Sequence, residues 1–178
     1  MKFTLNKSQR LVTNAAAKEE SRPVLACVHI RKGTIEAGNG YLLVQKQIDY
    51  DGDEELFLKA KEIAKCKDIN GKVEFSVEGQ DVKAVGRETV ILKAKSGVFP
   101  DTDSLYPKIV SDEVIRRLSG QKPFRIALSR TQLLNLLNSL SGEIIRFYFY
   151  GGKQAIEFEV TDSAKGLIMP LDVQWEEK

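Results

Sequence analysis

The sequence predicts an α+β protein that is built from three β-α-β-β-β repeats. In each repeat a short apolar strand leads directly into a helix, and alternating apolar and polar runs follow it. Turns that contain glycine separate these runs, as expected for antiparallel hairpins. The repeats begin at residues 3, 55 and 124. This recurrence is typical of a protein that is assembled from one repeated structural unit.

Composition and charge are those of an ordinary globular protein. Of the 178 residues, 42% are hydrophobic and 29% are charged, and the net charge is only +2, so the placement of the charges matters more than their sum. Cys27 and Cys66 lack the spacing of metal ligands, which favours reduced, structural cysteines. No apolar run approaches membrane-spanning length. We therefore expect a soluble, cytoplasmic protein without a membrane contact.

The first unit begins with a strand over residues 3–5 and a helix over residues 7–18. Asn6 stands three residues before Gln9, which is the spacing of a capping box at a helix N-terminus. The apolar residues of this helix share one face and most of its basic residues lie off that face, which predicts an amphipathic element. Three strands are predicted after it, at residues 24–31, 34–37 and 41–48.

The second unit shows the repeat most clearly. A strand over residues 55–58 leads into a lysine-rich helix over residues 59–67. Three strands are predicted after it, at residues 73–77, 82–85 and 90–94. An acidic loop over residues 49–54 connects this unit to the first. Together the first two units are predicted to form one domain over residues 1–100.

The third unit is predicted over residues 123–178, after a linker over residues 101–122. Ser129 and Gln132 repeat the capping-box spacing before a leucine-rich helix that Gly142 closes. Its strands are predicted at residues 124–128, 144–150, 155–160 and 166–169. The linker contains a further short helix over residues 111–118 and one proline-marked turn, Tyr106-Pro107.

Two motifs make the chain resemble the bacterial sliding clamp, the processivity (beta) subunit of the replicative DNA polymerase III. Phe99-Pro100 resembles the place at which one clamp domain, made of two such units, gives way to the next. Residues 167–170, Leu-Ile-Met-Pro, resemble a sequence near the end of the last half-domain of that family. The resemblance implies the DNA-clamp fold, with antiparallel sheets and the helices on one face. A full clamp chain has three domains, whereas this chain has three half-domains.

The resemblance implies a DNA-facing surface, because clamp helices face double-stranded DNA without reading its sequence. Such contacts need mobile cations opposite phosphates. The candidate DNA-binding residues are basic and lie in or beside predicted helices: Lys7, Arg10, Lys18, Lys59, Lys61, Lys65, Lys67 and Arg130. Four lysines accompany the single acid Glu62 on the second helix, which favours DNA. A solvated helix face explains a run of charges as well, so both interpretations stay open.

A second candidate site comes from the C-terminal motif. Clamps capture short peptide motifs of polymerases in an apolar pocket, and the residues at that place are Ile168, Met169, Pro170 and Leu171. A buried edge strand explains these residues equally well, because the rest of the pocket belongs to a region that this chain lacks. The resemblance thus implies an accessory factor in DNA replication or repair. The alternative is a clamp-fold module that binds clamp-binding peptides without encircling DNA.

The residues do not favour an enzyme. His29, the only histidine, is predicted to be a surface or interface residue of an alternating strand, and no metal cluster or nucleophile accompanies it. We therefore predict no catalytic residue, no metal site and no cofactor. The third unit lacks a partner unit, which predicts a homo-oligomer, either a dimer or a tetramer. In a rival arrangement the third unit folds back on its own first domain and leaves a monomer.

Overall fold

Two antiparallel sheets make up most of the computed structural model, which describes residues 1–18, 22–106, 126–150, 154–161 and 164–174. The strands are β1 Lys2–Asn6, β2 Cys27–Arg31, β3 Thr34–Gly38, β4 Leu42–Gln47, β5 Leu56–Lys59, β6 Lys72–Glu78, β7 Asp81–Val85, β8 Thr89–Lys93, β9 Ile145–Tyr148, β10 Ile156–Val160 and β11 Ala164–Ile168. One sheet has the order β1-β6-β7-β8, and the other has the order β5-β2-β3-β4-β11-β10-β9. The protein is therefore α+β with antiparallel sheets, as predicted.

Each unit has one short helix before its run of strands. The helices are α1 Lys7–Arg10, which continues as a 3₁₀ segment Leu11–Ala15, α2 Ala60–Lys65 and α3 Arg130–Ser139. The capping box of α1 is present, since Asn6 and Gln9 each accept a hydrogen bond from the other's backbone N–H. At α3 the Ser129 side chain accepts from the Gln132 N–H. No helix among the described residues is long and apolar enough to cross a membrane.

The first two units exchange strands. Strand β1 of the first unit pairs with β6 of the second, and β5 of the second pairs with β2 of the first. In both pairings, the strand before a helix lies on the first strand after the helix of the other unit. Apolar side chains on these strands are fully buried as a result, among them Ile30 on β2 and Phe75 on β6. Each unit therefore completes the core of the other.

The third unit extends the sheet of the first through the pairing of β11 with β4, which we call the seam. The register runs from Ala164 opposite Lys46 to Ile168 opposite Leu42. A side chain at Gly166 would collide with the backbone oxygen of Leu43, so the seam requires glycine at this position. The described residues thus show the arrangement in which the third unit joins its own first unit.

The helices form a layer that crosses the seam. The 3₁₀ segment after α1 lies between α2 and α3 and packs against both. Asn14 of this segment donates a hydrogen bond to the backbone oxygen of Asn138 at 2.7 Å, which ties the first unit to α3. One hydrophobic core, which includes Phe3, Ile63 and Ile168, extends through all three units.

Several element boundaries differ from the prediction. The helix predicted over residues 7–18 is α-helical only to Arg10, because Thr13 bonds back to the Arg10 carbonyl at 2.9 Å and the turn tightens into the 3₁₀ segment. The strand predicted over residues 24–31 begins at Cys27, and α3 ends before Gly142. Within residues 124–128, the described part forms one isolated bridge, between Ala127 and Leu171. The predicted linker helix over residues 111–118 lies outside the described residues.

A buried polar cluster fastens the segment after β8 to the seven-stranded sheet. The Glu36 carboxylate accepts hydrogen bonds from His29, Gln45 and Thr102 at 2.8, 2.6 and 2.8 Å. Burial by itself raises the pKa of Glu36, but these hydrogen bonds and the charge of Arg31 outweigh burial and lower the pKa. Because Thr102 belongs to the segment after β8, an ionised Glu36 stabilises its position on the sheet.

His29, which was predicted to be a surface or interface residue, is buried within the chain. Its ring is buried and lies 4.8 Å, between centroids, from both Phe57 and Phe99. Its Nδ1 faces Glu36, and its Nε2 lies 3.0 Å from a carboxylate oxygen of Glu55. Alternation along β2 assigns this residue to the outward face of the strand, but Phe99 of the following segment covers that face. His29 is therefore part of the core between the sheet and that segment.

Candidate nucleic-acid interface

A cleft of 740 Å³ lies against the helix layer and contains four lysines. The lysines are Lys18, Lys59, Lys61 and Lys95. Residues Thr13 and Asn14 of the 3₁₀ segment line the same cleft, together with Asn135 of α3. Apolar residues also contribute, among them Val24 and Phe57. All three units thus contribute to one groove with a positive charge.

A second cleft of 460 Å³ lies beside the first. Its basic residues, apart from Arg10, are Lys7, Lys65, Lys67 and Arg87. Thr13, Asn14 and Ala64 line both clefts, so the two are adjacent. We call the basic residues of the two clefts the cationic surface: Lys7, Lys18, Lys59, Lys61, Lys65, Lys67, Arg87 and Lys95.

Acidic side chains neutralise only part of the cationic surface. Lys67 pairs with Glu88 at 2.8 Å, and its hydrogen bond holds the pKa of Glu88 below the usual range. Lys59 lies 4.0 Å from Glu62 on the same helix. Within the described part of the chain, the other lysines of this surface form no ion pair with an acidic side chain. Most of the positive charge therefore remains available to an anionic ligand.

Two of the predicted DNA-binding residues do not belong to the cationic surface. Arg10 is buried: its guanidinium donates to the Cys66 carbonyl at 2.7 Å and to Asp68 at 2.9 Å, which lowers the pKa of Asp68. Arg10 thus joins α1 to the end of α2, and its guanidinium is engaged by partners within the chain. Arg130 is exposed at the start of α3 and lines neither cleft.

An apolar cavity of 310 Å³ lies at the junction of the first and third units. Its lining includes the β3–β4 turn and the start of β4, with Tyr41 and Leu42. The third unit contributes Leu167 and Met169, and the segment after β8 contributes Phe99, Pro100 and Leu105. Among the described residues that line this cavity, Arg22 is the only basic one. The first unit supplies the wall of this cavity that faces the third unit.

The C-terminal motif contributes only one of its four residues to this cavity. Met169 lines the cavity and is 39% exposed, whereas Ile168 is fully buried in β11 and belongs to the core. Pro170 and Leu171 follow on the surface and do not line the cavity. The residues predicted for peptide binding are therefore divided between a cavity wall, a core strand and the surface.

Sequence reasoning missed several residues of both sites. Lys95 reaches the larger cleft because the chain after β8 returns to β5, where its N–H donates to the Phe57 carbonyl at 2.9 Å. That return is a long-range contact without a local signal. The turn between β3 and β4 contains Gly38 and Gly40 and also forms a wall of the apolar cavity. Their spacing is the one signal that marks this turn in the sequence.

Metal-ligating side chains and thiols are two kinds of reactive group among the described residues. Among them, no group of three or more His, Cys, Asp or Glu side chains could hold a metal ion. Cys27 and Cys66 are buried free cysteines, and burial raises the pKa of both thiols, which disfavours the reactive thiolate.

Strand-exchanging β-α-β-β-β units that share a layer of helices define the fold of this chain as that of the DNA sliding clamp. The solved structures to which it is similar are those of bacterial DNA polymerase III beta subunits. The beta chain from Streptococcus pneumoniae TIGR4 is 18% identical with a TM-score of 0.73, and the match covers 97% of this chain and 65% of that one. No family model and no curated protein sequence matches the chain.

Two further solved clamp structures are similar to the chain to a comparable degree. The beta subunit from Borrelia burgdorferi, solved in complex with a natural product, is 14% identical with a TM-score of 0.74, over 98% of this chain and 65% of that one. The sliding clamp from Pseudomonas aeruginosa is 17% identical with a TM-score of 0.70, over 97% and 67%. The chain thus spans about two thirds of the length of the solved clamps, and the likeness shows a shared fold.

Proposed function

We propose that this protein is a sequence-independent, double-stranded DNA-binding accessory factor in replication or repair that turns its helix layer toward the duplex. The observation that carries the proposal is the cationic surface. Its basic residues come from two units and lie around two adjacent clefts, and within the described residues most of them form no ion pair. The clamp fold of the similar structures supports the same orientation. The proposal includes no catalytic step.

Physical chemistry favours phosphate contacts over base reading at this surface. Lysine ammonium groups are flexible point charges, which attract phosphates without fixing one register. Helix α2, which carries Lys61 and Lys65, extends only from Ala60 to Lys65 and is too short to read bases from within the major groove. Binding should therefore depend strongly on salt and little on sequence.

The test is a double charge reversal on α2. Lys61 and Lys65 are exposed and lie four residues apart, so they share one helix face. Lys61→Glu with Lys65→Glu should weaken duplex binding equally for all sequences. It should also reduce the slope of log affinity against log salt by about 1.8, since each lost phosphate contact removes about 0.9.

A matched control has the same change of net charge on the outward face of the four-stranded sheet, outside the cationic surface. Lys2 on β1 and Lys83 on β7 are exposed, and they alternate with the inward Phe3 and Val82, so they point away from the core. Lys2→Glu with Lys83→Glu should leave the salt slope nearly unchanged. Equal weakening by both double variants would show that net charge, and not the cationic surface, determines binding.

The apolar cavity favours a second candidate function, the capture of a short peptide with apolar side chains, such as the clamp-binding motif of a polymerase. The supporting observation is that residues from the first unit, the third unit and the segment after β8 together enclose one apolar site. Arg22 at this site would favour a carboxylate or a backbone carbonyl of the peptide. Apolar pockets with a few polar groups are the usual sites for such ligands.

Met169→Lys tests this candidate. Because Met169 is 39% exposed, the lysine can reach solvent, and we expect folding to persist while affinity for an apolar clamp-binding peptide falls. Val98→Lys is the control, since Val98 is 89% exposed and does not line the cavity. Peptide titration and thermal melting of the same samples separate loss of binding from loss of folding. Unchanged peptide affinity in folded Met169→Lys protein would remove this candidate.

A further inference from the structure

The third unit carries the same strand-exchange pattern as the first two. In the first unit, apolar Phe3 and Leu5 stand three residues and one residue before the helix N-cap Asn6. In the second unit, Leu56 and Leu58 stand at the same distances before the N-cap Lys59. In the third, Ile126 and Leu128 precede Ser129 in the same way. All three units thus have the same apolar segment directly before the helix. We call it the donor segment, because in the first two units it is the strand that each unit gives to the other.

The outcome of this pattern differs between the units. Phe3, Leu5, Leu56 and Leu58 are all buried, because their strands lie on the first strand after the helix of another unit. Ile126 and Leu128 are only half-buried. Their segment makes a single described bridge, from Ala127 to Leu171, which uses one of its two edges. Within the described residues, the donor segment of the third unit is therefore paired on one edge only, and its apolar side chains are incompletely buried.

Strand β9 of the third unit, which holds the position that accepts a donor segment in the first two units, is also incompletely covered. Strand β9 corresponds to β2 and β6, since it is the first strand after the helix of its unit. Among the described strands it pairs only with β10, so its other edge receives no donor strand. Ile145 and Phe147 on β9 are half-buried, whereas Ile30 on β2 and Phe75 on β6 are fully buried.

The neighbouring face of α3 is apolar and exposed as well. Gln132 and Asn135 face the first unit, as the Gln132 contact with Asn39 at 2.9 Å and the cleft lining show. By helical geometry Leu137 lies on the opposite side, and it is 47% exposed. In the first two units the corresponding helical elements pack on each other, since the 3₁₀ segment contacts α2.

From these observations we infer that two copies of this chain assemble through their third units. Each copy provides the donor segment, residues 126–128, for β9 of the other, and the two α3 helices pack side by side through Leu137. The contact is isologous, because both copies offer the same donor and the same acceptor. The result is a composite domain with the strand exchange of the first two units. This inference is independent of what the cationic surface binds.

The first two units also predict the register of this contact. The residue directly before the N-cap pairs with Val73 in one exchange and with Val28 in the other. The residue two positions earlier pairs with Phe75 and Ile30, respectively. Applied to the third unit, this register places Leu128 opposite Ile145 of the second copy and Ile126 opposite Phe147 of the second copy.

Oxidative cross-linking of a double cysteine variant tests the register. Leu128→Cys with Ile145→Cys should form a covalent dimer, whereas Leu128→Cys with Arg146→Cys should not, because neighbouring positions of a strand point to opposite faces. The native cysteines are buried and do not compete. A covalent dimer of the second variant but not the first would overturn the register and with it the composite domain.

Light scattering over a range of concentrations tests the interface itself. The unmodified chain should reach twice its monomer mass, and Leu137→Lys should raise the dimer dissociation constant by at least about tenfold, because it would bury a charge. Ile91→Lys is the control: Ile91 is 64% exposed on β8, an edge strand of the four-stranded sheet. A chain that remains monomeric, or a dimer that only Ile91→Lys dissociates, would overturn the inference.

Discussion

Strand β6 of the second unit and strand β9 of the third occupy the same position in their repeats and carry a similar inward aromatic residue. Phe75 on β6 stacks on Phe3 of the exchanged strand β1, with centroids 5.0 Å apart, and is fully buried. Phe147 on β9 contacts Phe149 of its own chain segment and is only half-buried. The difference teaches that the partner unit, and not the strand itself, determines how much of a clamp-fold strand is buried.

The largest expected effect comes from truncating these two aromatic residues. Phe75→Ala should lower the free energy of unfolding by about 3–5 kcal/mol, because it leaves a cavity in a closed core. Phe147→Ala should cost roughly half as much in the monomer, since the ring already contacts water. Urea denaturation at low protein concentration measures both. Equal losses would mean that β9 is as well covered as β6, which would contradict the comparison.

A smaller loss of folding free energy is expected when the seam between the third unit and the first unit is opened. Gly166→Val places a side chain against the Leu43 carbonyl and the Phe158 ring, and it should cost about 1–3 kcal/mol. The first two units should remain folded, because their exchange does not involve β11. Hydrogen exchange should accordingly show faster exchange in β9–β11 than in β6. Gly79→Ala is the control, since it meets no atom within 4 Å and adds only the strain of its positive φ.

Removing the Arg10 side chain tests a polar contact that lies entirely within the first two units. Arg10→Met should cost about 1–3 kcal/mol, because it leaves the Cys66 carbonyl without its buried donor and Asp68 without its cation. The salt slope of DNA binding should not change, in contrast to the change expected for Lys61→Glu with Lys65→Glu. A reduced slope in folded Arg10→Met protein would restore Arg10 as a phosphate contact.

The smallest effect concerns the pH dependence of the cluster around Glu36. The folded state lowers the pKa of Glu36, so its contribution to stability is complete above the unfolded pKa of about 4.3 and is lost as the pH falls below it. Glu36→Gln should remove this part of the acid-induced loss and flatten the stability profile below about pH 4.3. The urea midpoints of the unmodified chain and of Glu36→Gln, measured at a series of pH values from neutral to acidic, test this difference. A profile that remains as steep as that of the unmodified chain would show that other carboxylates dominate.

Local patterns in the sequence were sufficient to predict the repeats and the helix starts. Asn6 with Gln9 and Ser129 with Gln132 are short-range capping signals, and the structure contains a cap at both places. The length of α1 was overestimated, because an amphipathic pattern does not distinguish an α-helix from the 3₁₀ turn that Thr13 favours.

The site could be predicted only in part, because it depends on contacts between distant segments. Charge alone does not separate Arg10 from Lys61: only the folded chain brings Asp68 against one and leaves the other exposed. The burial of His29 was missed for the same reason, since the residue that covers it is Phe99, far along the chain. The wall of the apolar cavity likewise forms only when β11 reaches β4.

The seam has a consequence for the order of folding. Its two strands are separated by about 120 residues of chain, so closing it has a higher loop-entropy cost than forming either exchange in the first two units. The folding nucleus should therefore form within the first two units, where α2 and its neighbouring strands are close in sequence. The third unit should dock last. During synthesis the edge of β4 would then remain unpaired until β11 emerges, which exposes this edge of the nascent chain to wrong pairing.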